Sequence, residues 1–128
     1  LKGQEFVPMD SVERIVTRDE LIGLQDKART LSVHDSIFDY IVTLVEATRE
    51  SELFSMGASP RGANALLRMS GAMAVLSGRE YVVPGDIAEV FNDVLGHRVK
   101  LAARARANGM TVAEALDEVR SQVKVPRT

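Results

Sequence analysis

The amino-acid sequence predicts an all-α domain, a helical bundle of about five helices. Apolar residues recur at three- and four-residue intervals through most of the 128 residues. Capping residues and prolines precede these stretches, as expected at helix starts. The hydrophobic content of 45% is enough for a core of ordinary size in one domain.

The first two helices are predicted from their capping residues. Thr17 and Glu20 form a capping box, and the apolar period after them predicts a helix to about Arg29. Asp35 is expected to cap a second helix. The predicted inner face of this second helix is Ile37, Ile41, Leu44, Val45 and Thr48, with Phe38 and Val42 alongside.

Three more helices follow a predicted loop at residues 51–58. Pro60 starts a helix that runs to Ser77, and Gly78 ends it. Pro84 starts a fourth helix, and a second capping box at residues 111–114 starts the last.

Two other segments are predicted to lie outside the helices. The short alternating runs 31–33 and 81–83 are interpreted as one minor two-stranded pair. Residues 1–16 show no clear period and are interpreted as a connecting segment. Residues 17–128 are the predicted helical domain.

The third helix carries a cationic stripe on an otherwise apolar element. Ser59 is expected to cap the first amides and Pro60 suits the first helical position, which together fix the direction of Arg61. At about 100° per residue, the residues that share the stripe are Arg61, Asn64, Arg68 and Gly71. Apolar residues cover the other faces: Ala63, Leu66, Leu67, Met69, Met73, Ala74 and Leu76. Such a stripe faces a ligand or partner, or else pairs with acids of its own fold.

Several kinds of chemistry have no sequence signal. The chain has no phosphate-binding P-loop, so it is not expected to hydrolyse a nucleotide alone. It also has no serine-nucleophile motif. His34 and His97 are far apart and neither has metal-ligand spacing, so no metal site is predicted. The absence of cysteine suits the cytoplasm, and no apolar run is long enough to predict a membrane partner.

Positive charge is concentrated at the C-terminal end. Residues 98–128 contain seven Lys/Arg against three Asp/Glu, although the whole chain has a net charge of -2. The cations between Arg98 and Arg106 have no aromatic residues among them, so nucleic acid is not the expected partner. Their role is left open.

Two runs of the sequence resemble the C-terminal lid of MoxR-type AAA+ ATPases. They are Gly57-Ala58-Ser59-Pro60-Arg61 and Arg79-Glu80-Tyr81-Val82-Val83-Pro84-Gly85-Asp86. Further matches follow the family order at residues 39–42, 47–49 and 94–98, so the resemblance covers residues 17 to 125. The chain departs from the family pattern at Glu80, Val83 and Gly96. Val83 replaces a capping Thr or Ser and is expected to weaken one helix start.

The resemblance implies roles for residues at the start of the third helix. Arg61 corresponds to the sensor-2 arginine, a catalytic residue near the γ-phosphate, and Ser59, Pro60 and Asn64 are the expected cofactor-binding neighbours. The parent protein is then expected to be an ATP hydrolase whose separate core binds ATP and Mg²⁺, and residues 1–16 are the expected connecting segment from this missing ATPase core. The lone chain is expected to bind neither, because it lacks the P-loop amides. Whether Arg61 acts on its own subunit's nucleotide or on a neighbour's is not determined.

The resemblance also implies partners. They are the ATPase core, neighbouring subunits of a hexameric ring, client proteins that are remodelled or assembled, and proteins with a von Willebrand factor A domain. An alternative is a free-standing helical protein-interaction domain, because residues 81–94 also resemble a histone-fold segment. A helix-turn-helix DNA binder is disfavoured, because the helix after Pro84 is acidic, with Asp86, Glu89 and Asp93.

Overall fold

The computed structural model describes residues 15–127, in which six helices and two short strands are present. Their bounds are α1 Arg18–Arg29, α2 Asp35–Glu50, β1 Phe54–Met56, α3 Pro60–Leu76, α4 Pro84–Leu95, β2 Lys100–Leu101, α5 Ala103–Ala107 and α6 Val112–Gln122. The prediction of an all-α bundle with one small strand pair is confirmed. Most of the predicted connecting segment 1–16 lies outside the described residues.

The core lies between α2, α3, α4 and α6. The largest side chains that are fully buried in it are Phe91, Ile37, Leu44, Leu66, Ile87, Leu95 and Leu116. The inner face predicted for α2 is confirmed, but Phe38 and Val42 are 44% and 47% exposed. Tyr40 is buried in their place, since α6 and the residues after it pack on the Tyr40 side of α2.

Helix α1 lies at the edge of the bundle. It packs against α3, and none of its residues is buried. A side chain at Gly71 would lie 3.4 Å from Leu31 Cδ1 and 3.6 Å from the Ala28 carbonyl, so the end of α1 crosses α3 at this glycine. Gly71 is therefore buried, and the predicted cationic stripe is exposed only at Arg61, Asn64 and Arg68.

The strand pair forms in a different place from the predicted one. Strands β1 and β2 pair antiparallel, with Phe54 opposite Leu101. Residues 54–56 of the predicted loop are therefore a strand. The runs 31–33 and 81–83 meet only at a single parallel bridge between Ser32 and Tyr81. Helices begin directly after both runs, which leaves no length for a longer ladder.

Most predicted helix starts are confirmed. The capping boxes at Thr17 and Thr111 are both formed. For α2, however, the cap is His34, whose Nδ1 accepts the Ser36 amide at 3.1 Å, and Asp35 is the first helical residue. The acid was the stronger sequence signal, but it lies one position too late to cap.

The start of α4 is supported by a buried carboxylate. Asp86 is 4% exposed and its carboxylate accepts a hydrogen bond from the Val83 amide at 2.9 Å. This is the hydrogen bond of a capping box that is made by the acidic residue, and it does not need a Thr or Ser at position 83. Arg79 donates to both oxygens of Asp86, at 2.7 and 2.5 Å. This hydrogen bonding raises the pKa of Arg79. The pair ties the connection between α3 and α4 to the start of α4.

Candidate functional site

The segment before α3 is fixed on the last turns of α2. A Cβ atom at Gly57 would lie 2.5 Å from Arg49 Cα and 2.6 Å from the Thr48 carbonyl carbon, so only glycine allows this approach. Thr48 Oγ1 donates to the Val45 carbonyl at 2.6 Å and accepts the Ala58 amide at 3.0 Å. Both Thr48 and Ala58 are fully buried, which holds the entry to α3 in one position.

Helix α3 begins as predicted, with one difference in its cap. Ser59 occupies the N-cap position and Pro60 the first helical position. The Ser59 side chain makes no capping hydrogen bond, so that part of the prediction is wrong. The Ser59 carbonyl instead accepts the amides of Gly62 and Ala63, at 2.8 and 3.3 Å. The first turn is therefore closed by backbone, and Ser59 is exposed.

The first turn of α3 also packs against the end of α4. A Cβ atom at Gly62 would lie 3.2 Å from Ala58 Cβ, 3.3 Å from Leu95 Cδ2 and 3.7 Å from Arg98 Cδ. The small residues Gly57, Ala58 and Gly62 thus let α2 and α4 close around the start of α3. Arg61, the residue before Gly62, is exposed.

The exposed cations of α3 have no acidic partner within residues 15–127. Ion pairs in this range are Arg29–Asp26, Arg79–Asp86 and Arg120–Asp117. Arg61, Asn64 and Arg68 make no side-chain hydrogen bond there either. Pairing of the stripe with acids of its own fold is therefore not observed in the described part of the chain. Two apolar residues predicted to cover α3 are exposed as well, Met69 by 47% and Leu76 by 72%.

The start of α3 is positive for two reasons. The amino end of a helix carries a partial positive charge from its aligned peptide dipoles. No acidic residue lies in the first turn to offset it, and Arg61 adds a full charge. This arrangement suits an anion with several oxygens. Among residues 15–127 no cluster of three or more His, Asp or Glu side chains is arranged to hold a metal ion.

One residue beside this site, Arg98, was not predicted from the sequence. Arg98 was grouped with the basic segment 98–106, but its side chain lies over Gly62 at the first turn of α3. The other cations of that segment, Lys100, Arg104 and Arg106, are exposed. The only sequence signal for Arg98 was its place in the family-like run 94–98, because its contact with Gly62 joins residues distant in sequence.

Comparison with known families agrees with this architecture. The family model described as the AAA lid domain matches residues 46–119, which is more than half of the chain. The chain belongs to the AAA lid domain family. Similarity to MoxR proteins and to a solved ATPase-like structure identifies it as a lid domain of the MoxR-family AAA+ type. The lid domain has no helix among its described residues with the length and apolar composition needed to cross a membrane.

Three relatives illustrate the similarity of the lid domain. Uncharacterised protein YeaC of Bacillus subtilis is 35% identical over 119 residues, which are 93% of the lid domain and 37% of YeaC. Chaperone MoxR1 of Mycobacterium tuberculosis is 33% identical over 124 residues, which are 90% of the lid domain and 33% of MoxR1. Protein MoxR of Methylorubrum extorquens is 36% identical over 107 residues, which cover 31% of its length.

A solved structure has the same fold. The crystal structure of a protein from Cytophaga hutchinsonii, assigned as an ATPase by inference, superposes with a TM-score of 0.81 at 31% identity. The match covers 91% of the lid domain and 38% of that protein. The lid domain therefore spans about a third of the length of the relatives and the structure that it matches.

Proposed function

We propose that the lid domain closes over ATP held by a separate core of its parent AAA+ ATPase, and that Arg61 contacts the γ-phosphate. The observation that carries the proposal is the position of Arg61, exposed on a helix start that α2 and α4 hold fixed. The lid domain spans about a third of the relatives' length, so ATP hydrolysis is proposed for the whole protein.

The residues at the start of α3 fit a nucleotide phosphate. Arg61 is the cation, and the exposed side chains of Ser59 and Asn64 lie on the same end of the helix as hydrogen-bonding neighbours. Pro60 has no amide hydrogen and sets the angle at which the helix begins. ATP supplies a γ-phosphoryl group whose transfer to water drives the cycle. The described residues offer no ligand cluster for Mg²⁺, which we assign to the core.

Arginine suits this role for chemical reasons. Its guanidinium donates to two oxygens at once and stays charged at every physiological pH. A positioned cation stabilises the charge that develops on the transferring phosphoryl oxygens. Once the γ-phosphate has left, Arg61 loses its contact and the lid domain is free to rotate away from the core. Arg61 thereby couples the state of the nucleotide to lid position.

We further propose that this rotation drives chaperone-like remodelling or assembly of client proteins in the cytoplasm. The support is that one relative is named a chaperone. The lid domain would pass its movement to neighbouring subunits of a hexameric ring, and von Willebrand factor A domain proteins are the proposed co-partners. A free-standing interaction domain would instead act without a nucleotide.

The proposal is tested by nucleotide binding to the full-length protein. Arg61→Ala is expected to weaken affinity for the slowly hydrolysed analogue ATPγS by about 10- to 100-fold, which is the range for a lost charged hydrogen bond. Affinity for ADP, which lacks the γ-phosphate, is expected to stay unchanged. Calorimetric titration of both nucleotides measures this. Equal affinities of wild type and variant for ATPγS would contradict the proposal.

A further inference from the structure

Arg98 has a buried nitrogen without a partner. Its Nε atom is shielded from solvent and makes no hydrogen bond with any described residue. Asn92 and Arg120 also have such an atom, but the rest of each side chain interacts with Asp117, at 3.0 and 3.8 Å. Arg98 has no side-chain hydrogen bond or ion pair within residues 15–127. Buried polar groups are nearly always paired, so the Nε atom is an exception, and the terminal nitrogens of Arg98 also have no protein partner among these residues.

The position of Arg98 places it at the Arg61 site. Its Cδ atom lies 3.7 Å from the Cβ position of Gly62, the residue next to Arg61. Because Gly62 has no side chain, the aliphatic stem of Arg98 rests on the first turn of α3. The backbone of Arg98 is held at the end of α4 by the hydrogen bond from its amide to the Leu95 carbonyl, at 2.9 Å.

Arg98 also borders an open hollow between α3 and α4. The hollow has a volume of about 370 Å³ and is lined by Ala65, Arg68, Met69, Asp93, Val94, His97 and Arg98. Asp93 is the one acid of this lining, and it forms no ion pair with either arginine among the described residues. Arg98 is the residue of this lining that also contacts the first turn of α3, through Gly62, whereas Arg68 lies about two turns further along the helix.

Two guanidinium groups beside a helix amino end repel each other and the helix dipole unless an anion lies between them. A single carboxylate offers one charge and two oxygens. The phosphate chain of a nucleotide offers several charges and many oxygens, enough for two arginines that approach from neighbouring positions. The chemistry of the site therefore favours a polyphosphate over an acidic side chain.

We propose that Arg98 is a second phosphate-binding residue, which contacts the phosphate chain of the same ATP as Arg61. This inference rests on the proposed function, because it uses the same nucleotide. The contact uses the two terminal nitrogens of the Arg98 guanidinium, because the lid domain itself shields Nε from any outside ligand. Arg98 thus extends the nucleotide contact from the first turn of α3 to the end of α4.

The test uses Arg98→Met in the full-length protein. Methionine keeps an apolar stem over Gly62 and removes the charge and the unpaired Nε. Calorimetric titration is expected to show an affinity for ATPγS about tenfold or more below wild type. The melting temperature without nucleotide is expected to stay equal or rise, because a buried N–H without a partner is replaced by an apolar group. Arg98→Lys, which keeps the charge, is expected to recover part of the affinity.

Arg104→Met is the matched control, because Arg104 is an exposed cation of the same basic segment on α5. It is expected to bind ATPγS like wild type. Wild-type ATPγS affinity in Arg98→Met would overturn the inference. This holds even if the variant hydrolyses ATP more slowly, because Arg98 would then pair with an acidic group of the core and not with the phosphate chain. Failure of Arg98→Lys to recover any lost affinity would also overturn it. If Arg61→Ala alone keeps wild-type affinity, the proposed function itself fails.

Discussion

Replacing Arg61 with alanine in the full-length protein is expected to slow ATP hydrolysis by about 10- to 1000-fold. This is the usual cost of removing one positioned donor from a developing oxyanion. The stability of the lid domain is expected to change by no more than about 0.5 kcal/mol, because Arg61 is exposed and has no partner within residues 15–127. Steady-state turnover and thermal unfolding measure the two effects. Arg61→Lys is expected to recover turnover only in part, since an ammonium group has no bidentate fork.

Arg68→Ala is the matched control for this experiment. Arg68 is exposed on the same side of α3, but it lies about 10 Å further along the helix at 1.5 Å per residue. It is too far from the helix start to reach the same phosphate, so turnover is expected to stay near wild type. Equal losses in the two variants, or no loss at Arg61, would show that Arg61 is not the sensing residue.

Gly57→Ala is expected to destabilise the lid domain and to misplace Arg61. The added methyl group would lie 2.5 Å from Arg49 Cα, and backbone cannot move aside as a flexible side chain does. Overpacking of this kind costs about 1–3 kcal/mol. For a domain of this size each kcal/mol lowers the melting temperature by about 3–6 °C. Turnover is expected to fall as well, by up to about 100-fold for a shift near 1 Å.

Gly23→Ala is the control for this second prediction. A Cβ atom at Gly23, in the middle of α1, has nothing within 4 Å. Alanine there is expected to stabilise the domain by about 0.5–1 kcal/mol, because glycine loses more conformational freedom in a helix. A Gly57→Ala variant with wild-type melting temperature and turnover would show that the tight contact with α2 does not position α3.

The features predicted correctly from the sequence depend on neighbouring residues. Thr17 and Thr111 bond to amides within their own first turns. Pro60 and Pro84 start helices because their rings already have a helical φ. Each signal is complete within about four residues, so no tertiary contact is needed to interpret it.

The features that were missed depend on contacts between distant segments. Strand β1 exists because it pairs with β2, which lies more than 40 residues further along the chain. Phe38 is half-exposed, although it flanks the buried face, because α6 and the residues after it cover the Tyr40 side of α2. Gly57 and Gly62 are constrained by the backbone of α2 and by Leu95, respectively. Periodicity within one helix contains no information on such contacts.

The candidate site shows the same division. The placement of Arg61 on the first turn of α3 was predicted from local signals and is confirmed, whereas its role stays a prediction. Its exposure, the backbone closure at Ser59 and the position of Arg98 over Gly62 needed the folded structure. Arg98 in particular has no local signal that separates it from the other cations near it, because its unpaired Nε results from packing between α3 and the end of α4.

The most direct test of the central claim is the structure of the full-length protein with bound ATPγS. A guanidinium nitrogen of Arg61 is expected at about 2.7–2.9 Å from an oxygen of the γ-thiophosphate, the distance of a charge-assisted hydrogen bond. In the ADP complex this contact is expected to be absent and the lid domain to have rotated away from the core. An Arg61 side chain that pairs with a carboxylate of the core in both complexes, or that faces solvent in both, would contradict the account.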